Sequence, residues 1–222
     1  MPRNPSGGGR DFYPTPYRYA QWAFLRATDF HPYENKLHIL EPGCGLTYPF
    51  IKSAADIGYD GEMVGIDIID DWSVVTEEPQ RRYRTDFLTA PWEQYTPSEV
   101  REHGGWDIIA TNPPYSLAEE FVRKSLSILH PTGVAVFLLR VGFAGSIKRM
   151  RLFRERPPIE IGEFVRRFSF DGKGTDYTDY CLFYWVGEVL DRALRRQYDG
   201  KGFTRFYWID NSKKDQLDAF GI

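Results

Sequence analysis

The sequence has few cysteines, a small net charge and no long hydrophobic run, and each shortage excludes a class of protein. Only Cys44 and Cys181 occur among 222 residues, and two isolated cysteines argue against a disulfide framework. The net charge of −3 neither indicates nor excludes a nucleic-acid-binding protein, because the distribution of charge matters more than its sum. No apolar stretch is long enough to cross a bilayer and no signal peptide opens the chain, so we expect no membrane partner and a cytoplasmic location.

Histidine is also scarce, whereas aromatic residues are abundant. The four histidines, at positions 31, 38, 103 and 130, are scattered without the spacing of metal ligands, so we expect no metal. The chain carries 16 Phe, 14 Tyr and 6 Trp residues. We expect most of them in the hydrophobic core, and the functional alternative is a surface on which nucleic-acid bases stack.

The chain length suits one domain with a modest extension. Residues 1–10 are rich in glycine and proline, and we expect a disordered tail there. Residues 11–187 carry the clear strand and helix patterns and form the predicted main domain. Residues 188–222 contain one weak helix pattern, and we expect them to extend that domain rather than to form another.

The stretch WDIIATNPPY is the most informative part of the sequence. It begins as a short buried strand and stops at Asn112-Pro113-Pro114-Tyr115, because two prolines cannot continue a strand. The turn therefore places Asn112 and Tyr115 at the carboxyl edge of a sheet, where open α/β sheets bind ligands. An ordinary strand-to-helix turn with an exposed aromatic residue is the alternative.

A second strand-turn-helix unit precedes this stretch. A strand over residues 37–40 is followed by Glu41-Pro42-Gly43-Cys44-Gly45 and a helix over residues 47–57, which is typical of a nucleotide-binding half-sheet. Tyr48 occupies the place of the third glycine in the dinucleotide fingerprint, which weakens a pyrophosphate-binding interpretation. Asp67 ends the next strand, about 20 residues further on, where an acid commonly meets ribose hydroxyls.

Strands and helices alternate along most of the chain. The predicted strands cover residues 37–40, 62–67, 81–87, 106–111, 134–139, 159–170 and 180–186. The predicted helices cover residues 17–28, 47–57, 97–102, 116–129 and 189–198. Such alternation predicts an α/β fold with a mostly parallel sheet of about seven strands and helices on both faces.

A basic segment lies between two of these strands, over residues 145–156. Its candidate contacts to a nucleic-acid backbone are Lys148, Arg149, Arg151 and Arg154. A solvated helix face explains the same residues equally well.

The order DFYPTP, ILEPGCG, GID, TDF and NPPY resembles the S-adenosylmethionine-dependent DNA amino-methyltransferases of the N6-adenine type. The later stretches FLLRVGFAGSIKRMRLF, RRFSF and DYCLFYW are similar to compact methyltransferases common in phages and prophages. The resemblance spans about residues 11–187. It implies a Rossmann-like class I methyltransferase fold, S-adenosylmethionine as cofactor, and DNA, or else RNA, as partner in a bacterial, archaeal or phage-infected cell.

The resemblance also implies a cofactor site. The methionine end of the cofactor would be lined by Tyr13, Thr15 and Pro16. The floor beneath it would be formed by Glu41, Gly43 and Gly45. Asp67 would accept hydrogen bonds from both ribose hydroxyls. Asp86 would accept one from the adenine amino group, with Phe87 beside the ring.

The target base would be held by the Asn-Pro-Pro-Tyr turn. The Asn112 side chain and the Pro113 carbonyl would accept both hydrogens of the target amino group, which favours a pyramidal nitrogen with a localised lone pair. Tyr115 would stack on the base, and Phe170 lies where relatives place a second aromatic residue, with Phe168 as the fallback. No metal is required, because the methyl donor is already a sulfonium.

Other activities remain open from the sequence. The same turn serves N4-cytosine methylation, guanine methylation on ribosomal RNA and glutamine methylation, and the glutamine enzymes carry an N-terminal helical domain for which this chain has no room. A cofactor-binding subunit without catalysis is the alternative from another class. The residues after Gly187 are too few for the target-recognition domain of the larger DNA enzymes, so the recognised sequence is not predicted.

Overall fold

An eight-stranded sheet runs through the part of the chain that the computed structural model describes, which is residues 14–30, 36–69, 81–167, 170, 178–197 and 204–211. Its strands are β1 (Ile39–Pro42), β2 (Met63–Asp67), β3 (Arg81–Arg84), β4 (Trp106–Thr111), β5 (Leu129–Arg140), β6 (Glu160–Phe164), β7 (Tyr180–Val186) and β8 (Arg205–Ile209). They are ordered β3-β2-β1-β4-β5-β7-β6-β8. The disordered tail predicted for residues 1–10 lies outside the described residues.

Most neighbouring strands are parallel. The pairs β3–β2, β2–β1, β1–β4 and β4–β5 are parallel, as is β6–β8, whereas β7 is antiparallel to both β5 and β6. The carboxyl ends of β1, β2, β4 and β5 therefore meet at one edge, and β7 starts at that edge. The predicted mostly parallel sheet is confirmed, with β8 as a strand that the sequence did not indicate.

In the part of the chain that the structure describes, six α-helices cover the sheet: α1 (Tyr17–Thr28), α2 (Pro49–Ile57), α3 (Ser98–His103), α4 (Ala118–Ile128), α5 (Met150–Glu155) and α6 (Glu188–Gln197). Buried residues form two clusters, because adjacent residues of a strand point to opposite faces, as Ile108 and Ile109 of β4 do. α1 and α2 contribute to one cluster, and α3, α4 and α5 contribute to the other. Within the described ranges, no helix has the length and apolar character needed to cross a membrane.

Several predicted boundaries moved in the structure. α1, β4 and β7 have the predicted bounds, whereas β5 starts at Leu129 instead of residue 134. The sequence His130-Pro131-Thr132-Gly133 is predicted to stop the preceding helix, and α4 does end just before it, at Ile128. The same four residues also belong to β5, whose first residue, Leu129, pairs with Trp106. The strand predicted for residues 159–170 ends at Phe164.

Candidate active site

The Asn-Pro-Pro-Tyr turn lies at the carboxyl end of β4, beside β1. All six residues of β4 are buried, and the Thr111 hydroxyl donates a hydrogen bond of 2.5 Å to the Pro42 carbonyl of β1. Pro114 has an extended backbone, and its carbonyl accepts a hydrogen bond of 2.9 Å from the Leu117 N–H, which closes a short 3₁₀ turn. The strand order reverses between β1 and β4, so the turn occupies the switch point of the sheet.

The glycine turn follows β1 on the other side of this crevice. Gly43 and Gly45 have φ values of +71° and +60°, a conformation that favours glycine. The N–H groups of Gly43 and Cys44 both donate to the Ile66 carbonyl of β2, at 2.7 and 3.1 Å. The turn is therefore fastened to the carboxyl end of the neighbouring strand.

Tyr48 also has a left-handed backbone, with φ at +30°, which is unusual for a bulky residue. It precedes α2 at the place where the dinucleotide fingerprint has its third glycine. Its ring is buried, and the Arg82 guanidinium lies over it at 4.9 Å from the ring centroid. Packing of the ring thus accompanies a conformation that glycine would adopt without strain.

Asp67, at the end of β2, directly contacts the glycine turn. Its Oδ2 accepts a hydrogen bond of 2.8 Å from the Gly45 N–H, and its Oδ1 accepts one of 3.1 Å from the Ile69 N–H. Burial raises the pKa of Asp67 above its usual value, against the opposing effect of these backbone hydrogen bonds. A carboxylate offers about four lone-pair positions, so two further donors can be accommodated.

Glu41 lies beneath the turn and is buried. Its Oε2 accepts a hydrogen bond of 2.9 Å from the Ile51 N–H in the first turn of α2. Burial raises the pKa of Glu41 well above its usual value. The predicted place in the floor of the site is compatible with this position, and the side chain also fastens α2 to β1.

The other predicted cofactor residues differ in their surroundings. Asp86 is exposed after β3, and its Oδ1 accepts a hydrogen bond of 2.9 Å from the Leu88 N–H. Phe87 is only 3% exposed, and its ring packs against those of Phe121 and Tyr95, so most of the ring belongs to the core. Thr15 is buried just before α1, and Pro16 caps its start. Tyr13 lies outside the described residues.

Aromatic rings gather at the same edge of the sheet, where Asn112 follows β4 and is half-buried. The rings of Tyr115 and Phe170 lie 5.9 and 5.1 Å from the ring of Tyr180, measured between centroids. Arg140, at the end of β5, places its guanidinium 4.4 Å from the centroid of Tyr115. The structure thus brings the two predicted stacking residues to one ring, at the start of β7. Phe168 is outside the described ranges.

Arg140 and Tyr180 were not predicted as site residues. They face each other in the antiparallel pairing of β5 with β7. Arg140 follows the predicted strand 134–139 directly, so the rule that ligands meet the carboxyl edge could have indicated it. Tyr180 begins its strand at the same edge only because β7 is antiparallel, and that direction is not visible in the sequence.

The comparisons with known proteins agree on the fold. No protein-family model and no curated protein sequence matches the chain. A Listeria monocytogenes protein described as a class I S-adenosylmethionine-dependent methyltransferase superposes with a TM-score of 0.64, over 93% of this chain and 68% of that one, at 12% identity. The chain has the class I methyltransferase fold.

Two structural neighbours with this methyltransferase fold come from restriction systems. The methyltransferase subunit of a type I restriction-modification system from Streptococcus thermophilus superposes with a TM-score of 0.63 at 14% identity, over 90% of this chain and 49% of its own. The M protein of the type I restriction enzyme EcoKI gives a TM-score of 0.54 at 15% identity, over 83% of this chain and 45% of its own. The chain thus spans about half the length of either neighbour.

The predicted basic segment follows β5 in this methyltransferase fold, near the end that carries Arg140. Lys148, Arg151 and Arg154 are exposed, although Arg151 also forms an ion pair of 2.7 Å with Glu155. Arg149 is half-buried and donates a hydrogen bond of 3.1 Å to the Phe143 carbonyl, so it holds the loop. The segment therefore offers exposed cations at three of the four predicted positions.

Proposed function

We propose that this protein transfers a methyl group from S-adenosylmethionine to the exocyclic amino group of a base in DNA, at N6 of adenine. The observation that carries the proposal is one edge of the sheet, where the Asn-Pro-Pro-Tyr turn, the glycine turn and Asp67 meet at the switch point. The class I methyltransferase fold of the chain agrees with it.

The residues around the glycine turn fit the cofactor. Gly43 and Gly45 allow a ligand to approach the backbone closely, because they carry no side chain. Asp67 is held by two backbone N–H groups and keeps capacity for two ribose hydroxyls. When bound, the cofactor supplies a methyl group on a positively charged sulfur, so the protein need not provide a metal or a strong base.

The Asn-Pro-Pro-Tyr turn suits an amine acceptor. The lone pair of a base amino group is delocalised into the ring, which makes the nitrogen a poor nucleophile. The Asn112 side-chain oxygen and the Pro113 carbonyl would accept its two hydrogens. Both hydrogen bonds strengthen as positive charge develops on the nitrogen, so they stabilise the transition state more than the ground state.

The aromatic group provides the surface for the target base. A base inside a duplex is out of reach, so the protein must flip it out or act on a single strand. Tyr115, which is half-buried beside Tyr180, would replace part of the stacking that the base loses. Arg140 packs on the Tyr115 ring and would hold it in position.

The exposed cations after β5 provide contacts to the phosphate backbone. Lys148, Arg151 and Arg154 lie on the segment that follows β5, the strand that ends at Arg140. Ile147, in the same segment, is 80% exposed, so an apolar side chain also projects from this surface. Cations and a projecting apolar side chain are a combination that suits bending or opening of a duplex.

The proposal is tested by the product of the reaction. The purified full chain is incubated with labelled cofactor and with unmethylated genomic DNA, as duplex and as single strands, or with RNA, and the nucleosides are identified by mass spectrometry. N6-methyldeoxyadenosine is the expected product. A control DNA in which every adenine is replaced by unsubstituted purine, a base without the exocyclic amino group, should accept no label. Label in cytosine or in RNA would replace the proposed substrate with one of the alternatives, and no transfer to any nucleic acid would overturn the proposal.

A further inference from the structure

Three of the four histidines of the chain meet at the edge of the sheet opposite to the candidate active site. His38 precedes β1, His103 ends α3, and His130 is the second residue of β5. Asp107, near the start of β4, lies among them. From this group we propose a binding site for one divalent transition-metal ion, with zinc as the best fit, whose ligands are His103, Asp107 and His130.

The distances within the group suit a metal site. One ligand atom from each of the three residues lies within 4.8 Å of the other two. His103 Nε2 is 2.8 Å from Asp107 Oδ1, and the rings of His103 and His130 are stacked with centroids 4.3 Å apart. Ligand atoms bound tetrahedrally to zinc at about 2 Å lie somewhat closer together. A metal binds an imidazole in the plane of its ring, so the two stacked rings would tilt apart when the ion binds.

A second layer of hydrogen bonds orients two of the ligands. Asp107 is 2% exposed, and its Oδ2 accepts a hydrogen bond of 2.8 Å from the backbone N–H of His38. The Nδ1 atom of His130 lies 2.8 Å from the Thr132 hydroxyl and accepts a longer hydrogen bond of 3.3 Å from the Thr132 N–H. When Nε2 binds a metal, Nδ1 carries the proton and donates it to the Thr132 hydroxyl in place of the longer contact. Outer partners of this kind are a regular feature of metal sites, because they fix the ring orientation and the tautomer.

Two glycines explain how the histidines meet. Gly104 and Gly105 follow His103 with φ values of +99° and +138°. A Cβ atom at Gly105 would lie 2.7 Å from the backbone nitrogen of His130, so this close approach of α3 to β5 requires glycine. The two histidine ligands, at positions 103 and 130, are far apart in the sequence, which is why the spacing of the histidines did not indicate a metal.

The donor set favours zinc over a hard cation. Two imidazoles and one carboxylate suit Zn²⁺ and other first-row transition metals, whereas Mg²⁺ and Ca²⁺ prefer oxygen ligands alone. Three protein ligands leave a fourth position, and the partly exposed side chain of His103 places that position near solvent. A bound ion would connect α3, β4 and β5 at the end of β4 that is remote from Asn112.

The test measures zinc binding to the full chain without cofactor or nucleic acid. After treatment with a chelator, the protein is titrated with Zn²⁺ by calorimetry and its melting temperature is followed with and without the metal. We expect one ion per chain and a melting temperature that rises by several degrees. Co²⁺ bound in the same place should show the intense visible absorption of tetrahedral coordination.

Variants test the assignment at the two histidine ligands. His103→Ala and His130→Ala should abolish the zinc-dependent rise, and Thr132→Val should weaken binding by about 10- to 100-fold. His38→Ala is the matched control, because the His38 ring packs against the His103 ring at 5.1 Å between centroids but is not one of the three converging ligands. Its contact with Asp107 is made by the backbone N–H, which alanine keeps, so this variant should bind zinc like the wild type. Cofactor affinity, measured separately, should be unchanged in all four variants, which shows that they are folded.

Two results would overturn the metal site. One is the absence of zinc binding to the wild-type chain, and the other is wild-type binding in both His103→Ala and His130→Ala. Equal loss of binding in His38→Ala would overturn the three-ligand assignment. Since no methyl transfer enters these measurements, their failure leaves the proposed activity untouched, and the reverse also holds.

Discussion

Replacing Asp67 by asparagine should separate the two roles that the structure gives to this carboxylate. Its two oxygens accept hydrogen bonds from the Gly45 and Ile69 N–H groups, which hold the glycine turn. The proposed function adds two hydrogen bonds from the ribose hydroxyls of the cofactor. Asparagine keeps one acceptor oxygen but presents an NH₂ group where the second oxygen stood, so it cannot serve all four donors.

The expected loss of cofactor affinity follows from these hydrogen bonds. Asparagine loses the one ribose hydrogen bond made by the replaced oxygen, and a hydrogen bond to a charged group contributes about 1.5–3 kcal/mol. At about 1.4 kcal/mol per factor of ten, affinity should fall by about 10- to 100-fold. Asp67→Ala should fall at least as far and should also lower the free energy of unfolding, because it leaves two N–H groups without their acceptor.

The pH dependence of folding stability and of cofactor affinity gives an independent test of the role of Asp67. Burial raises the pKa of Asp67, so in the free protein this group contributes stability that is present below its unfolded pKa and is lost as the pH rises through the folded pKa. Cofactor binding needs the ionised carboxylate and should therefore weaken as the pH falls towards the raised pKa. A fall in pH thus stabilises the free protein against unfolding through Asp67 but weakens the binding of the cofactor. Asp67→Asn should show neither effect.

Calorimetric titration with S-adenosylmethionine at several pH values, together with urea denaturation of the free protein, measures both quantities. Glu62→Gln is a suitable control, because Glu62 precedes the same strand and pairs with Arg81 away from the turn. If Asp67→Asn binds the cofactor with wild-type affinity, or if its affinity keeps the wild-type pH dependence, the ribose role assigned to Asp67 is refuted.

Three further mutational experiments test other parts of the site. Thr111→Val removes the donor to the Pro42 carbonyl and should lower the free energy of unfolding by about 1–3 kcal/mol in urea; an unchanged value would show that this bond between β1 and β4 is unimportant. Tyr115→Ala should lower kcat/KM for DNA by about 5- to 150-fold, whereas Tyr115→Phe should retain most of it, and equal values for the two variants would argue against stacking. Replacing Lys148, Arg151 and Arg154 together by glutamine should reduce the slope of log affinity against log salt by about 0.9 for each phosphate that the variant no longer neutralises, and an unchanged slope would make the segment a solvated surface.

The parts of the fold that could be predicted are those fixed by local pattern. The buried strands β4 and β7 are largely apolar runs, the first followed by Asn112 and two prolines and the second by Gly187, and their bounds were predicted correctly. The beginning of β5 was not, because the local pattern after Leu129 correctly indicates the end of α4 but not a strand, which forms there through the pairing of Leu129 with Trp106. β8 was missed for a similar reason, since its partner β6 lies about 45 residues earlier in the chain.

The candidate site shows the same division between local and distant information. The two turns and Asp67 have recognisable sequences, and the structure brings Asp67 to Gly45 at 2.8 Å. The contact of Arg140 with Tyr115 depends on which strands become neighbours, and so does the meeting of His103 with His130. Such contacts follow from strand order and direction, which no single segment of the sequence encodes.

The most direct measurement is the rate of methyl transfer by Asn112→Ala compared with wild type in a single turnover, with labelled cofactor and unmethylated DNA. Ser116→Ala is the control, because Ser116 is exposed beside the turn and has no assigned role in holding the base. We predict that Asn112→Ala binds the cofactor normally and transfers no detectable methyl group, whereas Ser116→Ala retains the wild-type rate. Transfer by Asn112→Ala at the wild-type rate would contradict the proposal that this turn holds the amine during the reaction.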